Sequence, residues 1–148
     1  MSRCATAAPF MLSNPPGLYD PGSNGYSHVA QVAPGTRLVF MAGQGGERED
    51  GSLSPVFADQ VAQALANLQT GLRACDADLG QVFKLTLLVV DHSQEKLLAW
   101  AQAADRVWSG AMKPVCTLIP VPRLALDGMQ VEIEAVAAMS EASTQPDG

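Results

Sequence analysis

Apolar positions recur along this chain at two different periods, and the switches between them mark its elements. Ser27 to Val32 and Thr36 to Gly43 are short apolar-rich segments that read as strands, and the Ala33-Pro34-Gly35 between them predicts a hairpin. From Phe57 the period becomes helical: Phe57, Val61, Ala64, Leu65, Leu68 and Leu72 form one stripe, with Ser54 as N-cap and Pro55 at the first helical position. Val82 to Val90 is too short for a typical helix and rich in β-branched residues, which predicts a buried, central strand. Ser93 caps a second helix whose Leu97, Ala101, Ala104 and Trp108 share a face, with Leu98, Trp100 and Val107 beside it; Gly110 and Pro114 end it. Cys116 to Val121 and Met129 to Ala138 are the last strands, the second with Val131, Ile133 and Ala135 on one face and Glu132 and Glu134 on the other.

The order is strand, strand, helix, strand, helix, strand, strand, an α+β class. Two helices on a single sheet cover one face and leave the other bare, and burial of that face by other subunits is the simplest remedy. Residues 1–24, rich in Ala, Pro, Gly and Ser with Pro15-Pro16 and Asp20-Pro21-Gly22, read as an extended or loop-like segment. Residues 25–140 then form the domain, and residues 141–148 a disordered tail.

The 148 residues suit one domain that needs no metal or disulfide staple, and 47% hydrophobic with 5% aromatic residues means an aliphatic core. A net charge of −6 and nine thinly spread Lys and Arg give no basic stripe, which disfavours nucleic acid as a partner. Cys4, Cys75 and Cys116 are odd in number and widely spaced, as in a reduced, cytoplasmic protein. No metal or cofactor is expected, because His28 and His92 are far apart and no ligand spacing accompanies them. The longest apolar run, Leu85 to Val90 broken only by Thr86, falls far short of the ~20 residues that span a bilayer, and Pro9 interrupts the one stretch that imitates a signal peptide.

The stretch Lys113 to Ala138, KPVCTLIPVPRLALDGMQVEIEAVAA, resembles the C-terminal hallmark of the RidA/YjgF family, in which Pro-Ala-Arg precedes a Leu-Pro step and a Val/Ile-Glu-Ile-Glu-Ala strand. Gly25-Tyr26-Ser27-His28, Met41-Ala42-Gly43-Gln44, Asp50-Gly51, Asn67-Leu68 and Lys84-Leu85-Thr86 with Asp91 resemble further family elements, so the likeness runs from Gly25 to Ala138. It implies a mixed sheet with two helices on one side and a barrel-like homotrimer. It also implies intersubunit clefts that bind a small molecule, lined by Tyr26, Gly43, Gln44, Cys116, Thr117 and Glu132.

In family members that deaminate enamines and imines, the arginine holds the substrate carboxylate, and the first Glu of the last strand orients the attacking water. Glu132 is that Glu here, but Cys116 stands where the arginine belongs. A thiol is small and a weak donor and cannot grip a carboxylate as a guanidinium does, so 2-aminoacrylate deamination is expected to be weak or absent. Arg123 is seven residues away, on the opposite side of a regular strand, and is a poor substitute. Cys116 as a nucleophile needs a basic neighbour such as His28, whereas the plainer reading is a buried space-filling residue. Glu132 and Glu134 project from one face, with Glu132 assigned to the cleft and Glu134 to structure.

Gly43-Gln44-Gly45-Gly46 matches no nucleotide fingerprint and reads as a tight loop. Three function classes follow: a trimeric binder of a small polar metabolite with imine- or enamine-hydrolysing chemistry on an altered substrate, an endoribonuclease or translation inhibitor as some family members are called, and a non-catalytic ligand sensor.

Overall fold

The computed structural model describes residues 7–141. Cys4 and all of the 141–148 tail except Glu141 lie outside the described residues. Six strands and two helices follow one another as β1 (Phe10–Ser13), β2 (Val29–Val32), β3 (Thr36–Gly45), α1 (Phe57–Arg73), β4 (Val82–Val90), α2 (Gln94–Val107), β5 (Val115–Val121) and β6 (Val131–Ser140). A mixed sheet runs β3-β6-β4-β5, with β4 and β5 parallel and the other pairs antiparallel. The α+β class with two helices against a mixed sheet is therefore observed, and β4 takes an inner position.

The hairpin expected between β2 and β3 does not form. β2 pairs instead with β1, from Phe10 opposite Val32 to Ser13 opposite Val29, as a separate two-stranded sheet, and Ala33 N–H extends the pairing by donating to the Pro9 carbonyl at 2.9 Å. β3 has ten residues and finds a ten-residue partner in β6, whose alternating pattern matches its own. Four residues of β2 could satisfy less than half of that edge, so the longer pairing wins.

α1 buries Val61, Ala64, Leu65, Leu68 and Leu72, the stripe read from the sequence. It starts at Phe57 rather than Pro55, with Val56 at the cap position; the Ser54 hydroxyl instead accepts from Val56 N–H at 3.1 Å and donates to Asp59 Oδ2 at 2.8 Å. Ser93 caps α2 as expected, accepting from Lys96 N–H. Trp100 and Trp108 anchor α2 in the core, the latter donating its indole N–H to the Leu79 carbonyl at 3.0 Å.

Gln60, fully buried on α1, donates to the Ser54 and Gly128 carbonyls and accepts from Gln130 N–H, so its polar atoms are satisfied and tie α1 to the approach of β6. Asn67 Nδ2 donates to the carbonyls of Gly45 and Glu47, pinning the glycine-rich loop to the same helix. A Cβ at Gly46 would fall 2.5 Å from Gln60 Cα. The loop is thus a packing device, and Gly46→Ala is expected to lower stability by roughly 1–3 kcal/mol through overpacking, read as a fall in the denaturant midpoint.

Leu85, Leu87, Val89, Val131, Ile133 and Ala135 are buried on the sheet face beneath the helices. The opposite face carries Leu38, Phe40 and Ile119, with Phe40 72% exposed. One chain thus leaves a sheet face bare with exposed apolar side chains among its charged ones, and exposed apolar patches mark association surfaces.

Candidate functional site

Ser27 organises the first part of the site. Its N–H donates to the Pro114 carbonyl at 3.1 Å and it bridges in parallel to Val115, which lays the segment before β2 along the start of β5. Tyr26 is thereby set beside Cys116, where a cavity of about 340 Å³ opens. Tyr26, Cys116 and Thr117 line it together with Tyr19, His92 and Trp100.

The Tyr19 and Tyr26 hydroxyls are hydrogen-bonded to each other, and Asn24 Nδ2 donates to the Tyr19 oxygen at 3.4 Å. The His28 ring stands edge-on to both tyrosines, at centroid distances of 5.5 and 5.4 Å, with its Nε2 2.8 Å from the Tyr19 carbonyl oxygen. The Tyr26 phenol is pushed up to about 12, first by its hydrogen bond to Tyr19 and then by burial, whereas the bonds from Tyr26 and Asn24 lower that of Tyr19.

Burial pushes the Cys116 thiol up to about 12, against a smaller opposing effect of Lys84. Burial holds the thiol neutral at physiological pH, which weighs against a nucleophile and accords with the space-filling reading. Iodoacetamide at pH 7 is expected to label exposed Cys75 and to leave Cys116 unmodified, as read by peptide mass. Only the unfolded chain ionises this thiol as pH climbs toward 12, so its contribution to stability falls over that climb.

Glu132 lies elsewhere. Cys116 stands opposite Leu85 in the β4–β5 register and shares its helix-covered face, whereas Glu132 stands opposite Leu88 on the bare face. Gly43 is at the carboxylate: a Cβ there would fall 2.2 Å from Glu132 Oε1. Gln44, opposite Ile133, belongs to the helix side; its Nε2 donates to the Ala42 carbonyl, and it borders a shallow depression with Asn67 and Glu47.

The six residues expected to line the cleft thus form a cavity group (Tyr26 and Cys116, with Thr117 at the rim although its register with Thr86 turns its side chain toward the bare face), a carboxylate corner (Gly43, Glu132) and an outlier, Gln44. Glu134 is exposed opposite Thr86, and Arg123 is an exposed partner of Asp127 at 2.8 Å, lining a different depression from the Cys116 cavity. Among the described residues no group of three or more His, Cys, Asp or Glu side chains could hold a metal, and no helix is long and apolar enough to cross a membrane.

Tyr19, Asn24, His92 and Trp100 escaped the sequence reading. Tyr19 and Asn24 sit in the segment read as extended or loop-like, His92 looked solitary, and Trp100 passed for a flank of the α2 stripe. The one usable signal was a second tyrosine seven positions before Tyr26 in a turn-rich segment, since turns return a chain to its own neighbourhood.

Comparison with known proteins places this geometry in a family. The family model described as Endoribonuclease L-PSP matches residues 20–139. The chain is 30% identical over 106 residues to the RutC family protein YjgH of Escherichia coli, an alignment covering 70% of this chain and 77% of that protein. Among solved structures, a Rid-family protein from Yersinia pestis, YyfB, superposes with a TM-score of 0.83 at 31% identity, covering 89% of this chain and all of that one. Protein YjgH superposes with a TM-score of 0.65 at 26% identity, covering 91% of this chain and all of that one. With the family model spanning nearly the whole described fold, the chain belongs to the RidA/YjgF family, the family of the Endoribonuclease L-PSP model.

Proposed function

We propose that the chain works as a homotrimer whose clefts join the cavity group of one subunit to the Gly43–Glu132 corner of the next, bind a small polar metabolite, and hydrolyse an imine or enamine bond in it. The observation that carries this reading is the division of the candidate residues between opposite sheet faces. Cys116 and Glu132 cannot meet on one chain, yet the face bearing Glu132 also bears Leu38, Phe40 and Ile119, an apolar surface suited to a second copy.

In the joined cleft Glu132 accepts a hydrogen bond from water and takes its proton as the oxygen attacks the imine carbon, then returns that proton to the nitrogen, and the carbinolamine hydroxyl proton follows the same route as the carbon–nitrogen bond breaks. Collapse of the resulting carbinolamine then expels ammonia and leaves a carbonyl. Gly43 leaves the carboxylate free to point into the cleft, because any side chain there would occupy its place. Cys116 offers no charge for a substrate carboxylate, so the substrate differs from 2-aminoacrylate.

The endoribonuclease reading has the family model's name behind it, but a chain of net charge −6 whose cavity walls hold no Lys or Arg is poorly suited to a polyanion. The test is native mass together with ammonia release from small imines that lack a carboxylate. A trimer with catalysed release is expected; a monomer, or release at the uncatalysed rate, overturns the proposal. Saturable binding without release would leave the sensor in its place.

A further inference from the structure

We infer that the Tyr19 hydroxyl is the polar anchor of the cavity and that it selects an uncharged ligand through a carbonyl or imine acceptor. The inference rests on the reading of this cavity as the ligand cleft and adds the class of ligand and the group that recognises it.

The cavity walls carry no Lys, Arg, Asp or Glu. Its polar side chains are two phenols, an amide, an imidazole and a thiol. A carboxylate entering such a space loses its hydration without gaining a counter-charge, whereas a neutral carbonyl or imine needs only one donor.

The tyrosine pair supplies that donor. Two hydroxyls carry two protons, and their mutual hydrogen bond uses one of them. Asn24 Nδ2 is a group that only donates, and it donates to the Tyr19 oxygen. Whichever hydroxyl donates within the pair, the other keeps a free O–H, and Tyr19, already accepting from Asn24 and the more exposed of the two, is the one placed to offer it to a third partner. The direction of its acidity agrees, since accepting hydrogen bonds makes a phenol a stronger donor. Tyr19 is 60% exposed, open to an arriving molecule, while the edge-on His28 ring and its contact with the Tyr19 carbonyl fix the phenol's position. Trp100, buried in the core, closes the floor of the cavity.

Benzamide and benzoate share a shape and differ in charge, which makes them suitable probes for the full-length protein, with the Trp100 indole N–H resonance, assigned by Trp100→Phe, as the reporter of cavity binding. Benzamide is expected to bind about tenfold or more tightly than benzoate at pH 7.5, the scale of one desolvated, unpaired charge. Tyr19→Phe keeps the ring and is expected to weaken benzamide by about tenfold, the scale of one neutral hydrogen bond. Equal or tighter benzoate binding that moves the Trp100 resonance, or benzamide affinity unaffected by Tyr19→Phe, overturns the inference and leaves the cleft standing. Binding of both probes with the Trp100 resonance unmoved, or binding of neither, overturns the cleft reading as well.

Discussion

Gly43→Ala is expected to cut imine turnover by on the order of a hundredfold while the protein stays folded and assembled. The added methyl would sit 2.2 Å from Glu132 Oε1 and 2.8 Å from its Cγ, so the carboxylate must swing away. What it meets is the end of a flexible side chain, and the Gly43 backbone lies outside the left-handed region, so the fold is expected to absorb the change. The loss should fall on kcat with KM little altered, because the water and not the ligand's anchor is displaced. Glu132→Gln serves as the reference: it keeps the shape, removes the base and is expected to cost roughly 10² to 10⁴ in kcat. Wild-type turnover in Gly43→Ala, measured as ammonia released per cleft, would show that the carboxylate does not act from its observed position.

Phe40→Glu has the second large effect, and it falls on assembly. Phe40 stands opposite Val136 on the bare face and is 72% exposed in one chain. An aromatic residue buried at an interface centre is typically worth about 2 kcal/mol or more when removed, and a carboxylate facing its own symmetry copies adds repulsion. Native mass at micromolar concentration is expected to show monomers, with turnover lost because each cleft has lost its second wall. A Phe40→Glu protein that remains trimeric would place the subunit contact on some other surface.

The element order was legible because strand and helix periods alternate cleanly from β3 onward, and β4 and the α1 stripe needed nothing more. β1 was not legible, since Phe10–Ser13 offers four residues flanked by prolines, too few for a period to declare itself. Without β1 in view the natural partner for β2 was β3, which explains the hairpin that does not form. The start of α1 was misplaced by two residues because Ser54 and Pro55 form a fitting cap signature two positions too early, and the serine serves Asp59 and Val56 instead.

At the site, resemblance supplied Tyr26, Cys116, Thr117, Gly43 and Glu132, but not how one chain distributes them. Their division follows from a register that sets Cys116 beside Leu85 and Glu132 beside Leu88, on alternate sides of the sheet. Tyr19 stayed hidden because its role depends on a segment folding back, which leaves no period in the sequence. The missing arginine at position 116 was plain from the start, and the structure adds that the cavity around the substituting thiol is lined without charge.

The composite cleft is tested most directly by mixing two defective subunits. Glu132→Gln disables the carboxylate corner, and Cys116→Phe fills the cavity; each homotrimer is expected to be inactive. After co-refolding in equal amounts, random assembly gives about one cleft in four an intact cavity from one subunit and an intact Glu132 from its neighbour. Ammonia release at about a quarter of the wild-type rate is the result expected of a cleft shared between subunits. No recovery in mixed trimers of verified mass would contradict it, and would return the whole site to a single chain.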